Sequence, residues 1–123
     1  MKTFIIENYT DFEEKFNNIE HKNIIINISA TWCKPCNNIK EKLQEFIDEI
    51  DENNSIFLKI DYDKMNEEEE FNNYLEIKKI PYFYIFIEKK KVKEFQTSNI
   101  ENIKINIMNE LNINNNFNLT EDF

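Results

Sequence analysis

Glycine is missing altogether from this 123-residue sequence, and so is arginine. Alanine occurs once, at Ala30, histidine once, at His21, and proline and cysteine twice each. Without glycine, every turn that needs a positive φ has to be made by Asn, Asp or Lys, at some conformational cost. The 15 basic residues, all lysine, stand against 24 acidic ones, for a formal net charge of −9. That balance excludes the clustered basic surface that a phosphate backbone requires and a polybasic membrane anchor, so neither nucleic acid nor membrane is expected as a partner. No apolar run approaches the roughly 18 residues of a transmembrane helix. Met1-Lys2-Thr3-Phe4-Ile5-Ile6-Glu7 turns polar too early for a secretory signal. The expected location is the cytoplasm, unless a leader has been trimmed from the chain. Two cysteines are too few for a disulfide scaffold, and a chain of this length buries a core without such staples.

What is abundant is asparagine and isoleucine, beside lysine and phenylalanine. These are residues of A/T-rich codons, so the bias reflects the source genome, and the asparagine runs carry no functional weight. Residues 3–7 predict a short strand. Thr10-Asp11-Phe12-Glu13 has the spacing of a capping box, and Phe12, Phe16 and Ile19 recur at helix spacing behind it. Ile24-Ile25-Ile26-Asn27-Ile28 is a β-branched run, as in a strand covered on both faces. Ile39, Leu43, Phe46 and Ile50 give a second amphipathic helix. Residues 55–60 read as a strand and 61–64 as a loop. Asn66 before Glu67-Glu68-Glu69-Glu70 predicts a helix start, with Phe71, Tyr74 and Leu75 inward; the acidic run itself reads as a solvated face. Residues 82–87 are β-prone, Glu88-Lys89-Lys90-Lys91 a hairpin connection, and 92–96 the return strand. Ser98 and Glu101 repeat the capping-box spacing ahead of Ile100, Ile103, Ile107 and Leu111. The order β-α-β-α-β-α-β-β-α predicts an α/β fold, a central mixed sheet flanked by helices on both faces. It forms one domain over residues 1–112, followed by an Asn-rich, aperiodic polar tail over 113–123.

Both cysteines fall in Trp32-Cys33-Lys34-Pro35-Cys36, between the β-branched run and the second helix. In an intracellular chain that context makes Cys-x-x-Cys a candidate redox centre. Cys33 at a helix start faces unpaired backbone N–H groups, which favour a thiolate and can lower such a thiol from about 8.5 towards 7. Cys36, a turn further in, is expected to be the more buried. The alternative is a pair of inert buried thiols. A metal centre is not expected: with His21 the cysteines make three ligands, where structural zinc takes four. His21 reads as a surface loop residue.

Ala30-Thr31-Trp32-Cys33-Lys34-Pro35-Cys36, Lys59-Ile60-Asp61-Tyr62-Asp63 and Ile80-Pro81, set in this element order, resemble the thioredoxin family over residues 3–112. A lone Cys-x-x-Cys is weak; Trp before it, Pro inside it and Ile-Pro at the family's distance make the combination specific. The resemblance implies the thioredoxin fold and a thiol-disulfide oxidoreductase that reduces protein disulfides, with Cys33 as nucleophile and Cys36 as resolving thiol. On this reading the enzyme works without a bound cofactor and is supplied with electrons by a thioredoxin-reductase-type donor, and a monomer is expected. It also implies a cis bond between Ile80 and Pro81 beside the pair; the residues alone would leave that bond trans, since cis is about 5–6% of X–Pro bonds.

Against the family pattern, several positions differ. Asn27 stands where the family keeps a buried Asp, and an amide cannot act as a base near neutral pH. Lys59, which matches the family's partner lysine, is then without its carboxylate, and release of the mixed disulfide is expected to be slower. Ser29 replaces the first of two tryptophans, loosening the packing near the motif. Thr97-Ser98 fills a region where the family keeps a glycine, which bears on how closely a partner docks. Lys34 replaces a glycine within the motif, while Pro35 is retained and leans towards a reducing enzyme. Lys34, Lys78 and Lys79 either form a patch that stabilises the Cys33 thiolate or are screened surface charges. Two other readings stand beside the main one. A glutaredoxin-like, glutathione-dependent reductase is opposed by the lack of a Gly-Gly segment. A thioredoxin-fold binding subunit with weak redox activity is kept open by Asn27, Ser29 and Thr97-Ser98.

Overall fold

A computed structural model of the chain describes residues 1–76 and 79–112. The isoleucine run lies at the centre of its sheet. β1 (Lys2–Ile5) leads through α1 (Tyr9–Asn17) to β2 (Asn23–Ser29), and α2 (Lys34–Glu49) follows. β3 (Ser55–Asp61), α3 (Tyr62–Asn66) and a 3₁₀ helix (Glu69–Asn73) precede β4 (Tyr82–Ile87), β5 (Lys90–Gln96) and α4 (Ile100–Leu111). The strands are ordered β1-β3-β2-β4-β5; β2 runs parallel to β3 and antiparallel to β4. All of 23–28 is buried, which is what an unbroken apolar strand requires when both sheet faces are covered.

Alternation along the strands divides the core into two layers. Ile24, Ile26 and Ile28 join Leu58, Ile60, Tyr84 and Phe86 under Phe12 and Phe16 of α1, Met65 of α3 and Phe71. Ile25, Phe57, Phe83 and Ile85 face the other way, under α2 (Leu43, Phe46, Ile47) and α4 (Ile103, Ile107, Met108). Asn27 and Lys59 share this second parity, directly across from one another in register. The α2 side of the sheet therefore carries these two polar residues beneath the helix that holds Cys36.

Several local expectations are corrected. The cap of α1 is Asn8, whose Oδ1 accepts from the Asp11 N–H at 2.8 Å, not Thr10. Asp11 in turn accepts from the N–H of Glu7, the residue before the cap, at 3.0 Å, so the cap lies two residues earlier than the Thr10–Glu13 spacing suggests. The helix stops at Asn17, so Ile19 lies outside it and is 90% exposed. Residues 61–64 are not a loop: Asp61 caps α3 by accepting from the Asp63 N–H. Asn66 ends α3 instead of starting a helix, and the acidic run enters a 3₁₀ turn that has no side-chain cap. α4 is capped by Asn99, which accepts from the Asn102 N–H, not by Ser98. The hairpin closes on two residues, Glu88 (φ 51°) and Lys89 (φ 69°), so β5 begins at Lys90 and a glutamate takes a positive-φ position expected of Asn, Asp or Lys. Residues 113–123, expected to be a loose tail, lie outside the described residues.

Candidate active site

The burial of β2 ends at Ser29, and the chain turns over the end of the sheet through Ala30 and Thr31. The Cys33 N–H donates to Ala30 O at 3.2 Å, and Asn37 Nδ2 closes the turn onto Thr31 O at 3.0 Å. α2 then starts at Lys34 with Pro35 in its first turn, where a missing N–H costs nothing. Cys33 is the cap residue, and its Sγ accepts from the Cys36 N–H at 3.2 Å. The two cysteines are joined as a disulfide with their Cα atoms 5.3 Å apart. A sulfur thus occupies the position where an N-terminal helix dipole favours negative charge. Cys33 and Cys36 are equally buried, each 5% exposed, so Cys36 is not the more buried of the two.

Other elements complete the surroundings. Tyr62 of α3 and Ile80 pack against Ala30 and the cysteines. The Ile80–Pro81 bond is cis, and Pro81 is buried and shares a cleft with Cys36. Trp32 is 62% exposed; its ring meets Tyr62 edge-on with centroids 6.1 Å apart, and its Nε1–H donates to Asp63 Oδ2 at 3.0 Å. α3 therefore clamps the tryptophan from below. That role was not read from the sequence, although an Asp61-x-Asp63 start after a strand is the cap signal that could have revealed it.

Behind the pair lies a cleft of about 190 Å³ lined by Asn27, Ser29, Cys36, Lys40, Lys59 and Asp61 together with apolar side chains. Ser29 borders this space, where a larger side chain would intrude. Asn27 is 3% exposed and donates through Nδ2 to Tyr82 O at 3.3 Å. Lys59 is half-buried, and among the described residues no carboxylate forms an ion pair with it. Burial disfavours its ammonium and the charge of Lys40 adds repulsion, so its pKa lies below the ordinary 10.5.

The remaining sequence candidates lie outside the cleft or are only partly described. Lys34 and Lys79 are exposed, while Lys78 is outside the described residues, as is any three-lysine patch that includes it. Thr97 Oγ1 accepts from the Asn99 N–H at 3.1 Å, ahead of α4. His21 is half-buried with Nδ1 3.0 Å from Lys15 O and its ring against Phe4. Among the described residues, no group of three His, Cys, Asp or Glu side chains is arranged to hold a metal ion, and no helix is long and apolar enough to cross a membrane.

Residues 3–110 match the family model described as Thioredoxin. The chain belongs to the thioredoxin family. Thioredoxin of Homo sapiens is 34% identical over 106 residues, 86% of this chain and 95% of that protein. The crystal structure of Schistosoma mansoni thioredoxin superposes with a TM-score of 0.74 at 25% identity, covering 88% of this chain and 94% of that one. A thioredoxin f2 crystallised in complex with ferredoxin:thioredoxin reductase shares the fold, with a TM-score of 0.73 at 22% identity over 89% of this chain and 96% of its own. Membership of the thioredoxin family, with a close cysteine pair, makes the chain a thiol-disulfide oxidoreductase with protein-disulfide reductase activity.

Proposed function

We propose that Cys33 and Cys36 carry the exchange, Cys33 as nucleophile and Cys36 as resolving thiol. The supporting observation is the Cys33 sulfur at the cap of α2, already accepting a backbone N–H. In the reduced protein that site favours the Cys33 thiolate. The thiolate attacks one sulfur of a substrate disulfide, and the other substrate sulfur leaves with the electron pair and takes a proton from water. Cys36, deprotonated, then attacks Cys33 Sγ; the intramolecular disulfide forms and the second substrate thiol is released. Two electrons pass to the substrate and two protons end on its thiols. The substrates on this reading are proteins with accessible disulfides, approached over Trp32 and the Ile80-Pro81 turn. The electron donor is a thioredoxin-reductase-type enzyme; the complex of thioredoxin f2 with its reductase gives one example of such docking by a chain of this fold. We further assign residues 1–112 to one domain, with 113–123 as an appended tail, acting as a cytoplasmic monomer.

Dithiothreitol-driven reduction of insulin, with and without a coupled thioredoxin reductase, tests the assignment. Cys33→Ser should abolish both activities, and Cys36→Ser should accumulate a mixed disulfide with the substrate. Full activity in Cys33→Ser would overturn the assignment.

A further inference from the structure

The cleft behind the redox pair carries positive charge that nothing in the chain balances. β2 and β3, paired in parallel register, place Asn27 beside Lys59 on the face covered by α2. Lys40 of α2 borders the same space. Lys59 is half-buried and Lys40 exposed, and among the described residues neither forms an ion pair. Asn27 is neutral, and its Nδ2 is spent on Tyr82 O. Asp61 is the one carboxylate on the lining, and its Oδ1 accepts from the Asp63 N–H at 2.7 Å. Most of the remaining wall is apolar, with Ile39, Leu43 and Pro81 contributing to it. The space measures about 190 Å³, far above the roughly 10–15 Å³ that a single water needs.

We propose that this cleft is a binding site for a small organic monocarboxylate, its charged end between Lys40 and Lys59 and its hydrocarbon end on Ile39 and Leu43. The ligand brings the negative charge that Lys59 lacks. Burial and the repulsion of Lys40 already hold that ammonium below its ordinary pKa. The fold has therefore removed water from the cation before a ligand arrives, and an anion relieves both effects at once. A multiply charged oxyanion such as phosphate fits less well, because most of the wall offers it no hydrogen bond in exchange for its hydration shell. A carboxylate with a short alkyl chain gives up that shell at one end only and covers apolar surface at the other. The site uses no cysteine sulfur as a ligand, so it is complete in the oxidised protein, where Cys33 and Cys36 are joined.

Butyrate is the probe, with butyramide as its uncharged counterpart and inorganic phosphate as the competing class of anion. Oxidised protein is titrated with each at neutral pH and constant ionic strength, and the backbone amide resonances of Asn27, Lys40 and Lys59 are followed by heteronuclear NMR. Butyrate should give saturable shifts at these positions with a dissociation constant on the order of millimolar, and butyramide and phosphate should give none. Lys59→Met and Asn27→Asp should each weaken butyrate binding about tenfold or more, the first by removing the half-buried cation and the second by placing a carboxylate beside it. Lys40→Gln changes an exposed residue that the fold does not depend on, and it should weaken binding severalfold. Butyrate shifts no larger than those with butyramide would overturn the proposal. So would undiminished affinity in Lys40→Gln, which decides the matter even if a substitution at Lys59 or Asn27 fails to fold. Saturable binding of phosphate in the absence of butyrate binding would overturn the ligand class.

Discussion

At the scale of single residues, Lys59 carries a cost that the rest of the chain offsets. Its folded-state pKa lies below 10.5, first through burial and then through Lys40. The unfolded chain therefore binds that proton more tightly, and the protonated lysine destabilises the fold at every pH below the folded value. The penalty fades as pH rises through the folded pKa towards 10.5. Lys59→Met should accordingly raise Tm at neutral pH by a few degrees, on the order of 2–5 °C, with the gain shrinking under alkaline conditions. Thermal melts of both proteins across that range are the measurement. This site was only half legible in the sequence. Cys33, Cys36 and the order of elements around them could be read from spacing. That Lys59 and Asn27 meet behind Cys36 depends on strand register, which a one-residue slip would undo. The cis bond at Pro81 came from resemblance alone.

At the scale of elements, asparagine does much of the work that glycine and the hydroxyl residues do in other chains. Asn8 and Asn99 cap α1 and α4, and Asn112 ends α4 in the left-handed conformation with φ 60°. Both N-terminal caps lie one or two residues from Thr10 and Ser98, the hydroxyl residues whose spacing predicts them. Asn8→Ala should cost about 1 kcal/mol, whereas Thr10→Ala should cost much less, as urea denaturation would show. α3 escaped detection for a different reason: a helix of five residues is too short to display a 3.6-residue period. The hairpin shows where the missing glycine tells. Glu88 and Lys89 both sit at positive φ, a conformation that disfavours a side chain by about 1–2 kcal/mol per residue. The double substitution Glu88→Asn, Lys89→Gly should stabilise the protein by about 1 kcal/mol, seen as a higher Tm with activity unchanged.

At the scale of the molecule, the sheet is covered on both faces, and the redox pair follows the end of its central strand. Oxidation there closes a ring with a sequence separation of only three residues. A short ring removes less unfolded-state entropy than a long one, so the oxidised form should exceed the reduced form in stability by about 2 kcal/mol. Urea titrations of the two forms should give different midpoints with nearly equal slopes. The whole-chain pattern was the most legible level. Two helix layers over a doubly covered sheet follow from continuous apolar strands alternating with amphipathic helices. The antiparallel pairing of β2 with β4, by contrast, is set by chain topology and leaves no mark in local periodicity.

Trp32 is the chain's sole tryptophan, and it is bonded directly to one of the two cysteines that change state. Its indole is fixed against Tyr62 and Asp63, with a disulfide in the adjoining residue as a quencher of excited states. The emission of the whole molecule in the indole band therefore comes from a single lamp placed beside the switch. Its brightness should follow the electron pair in and out, with no label attached.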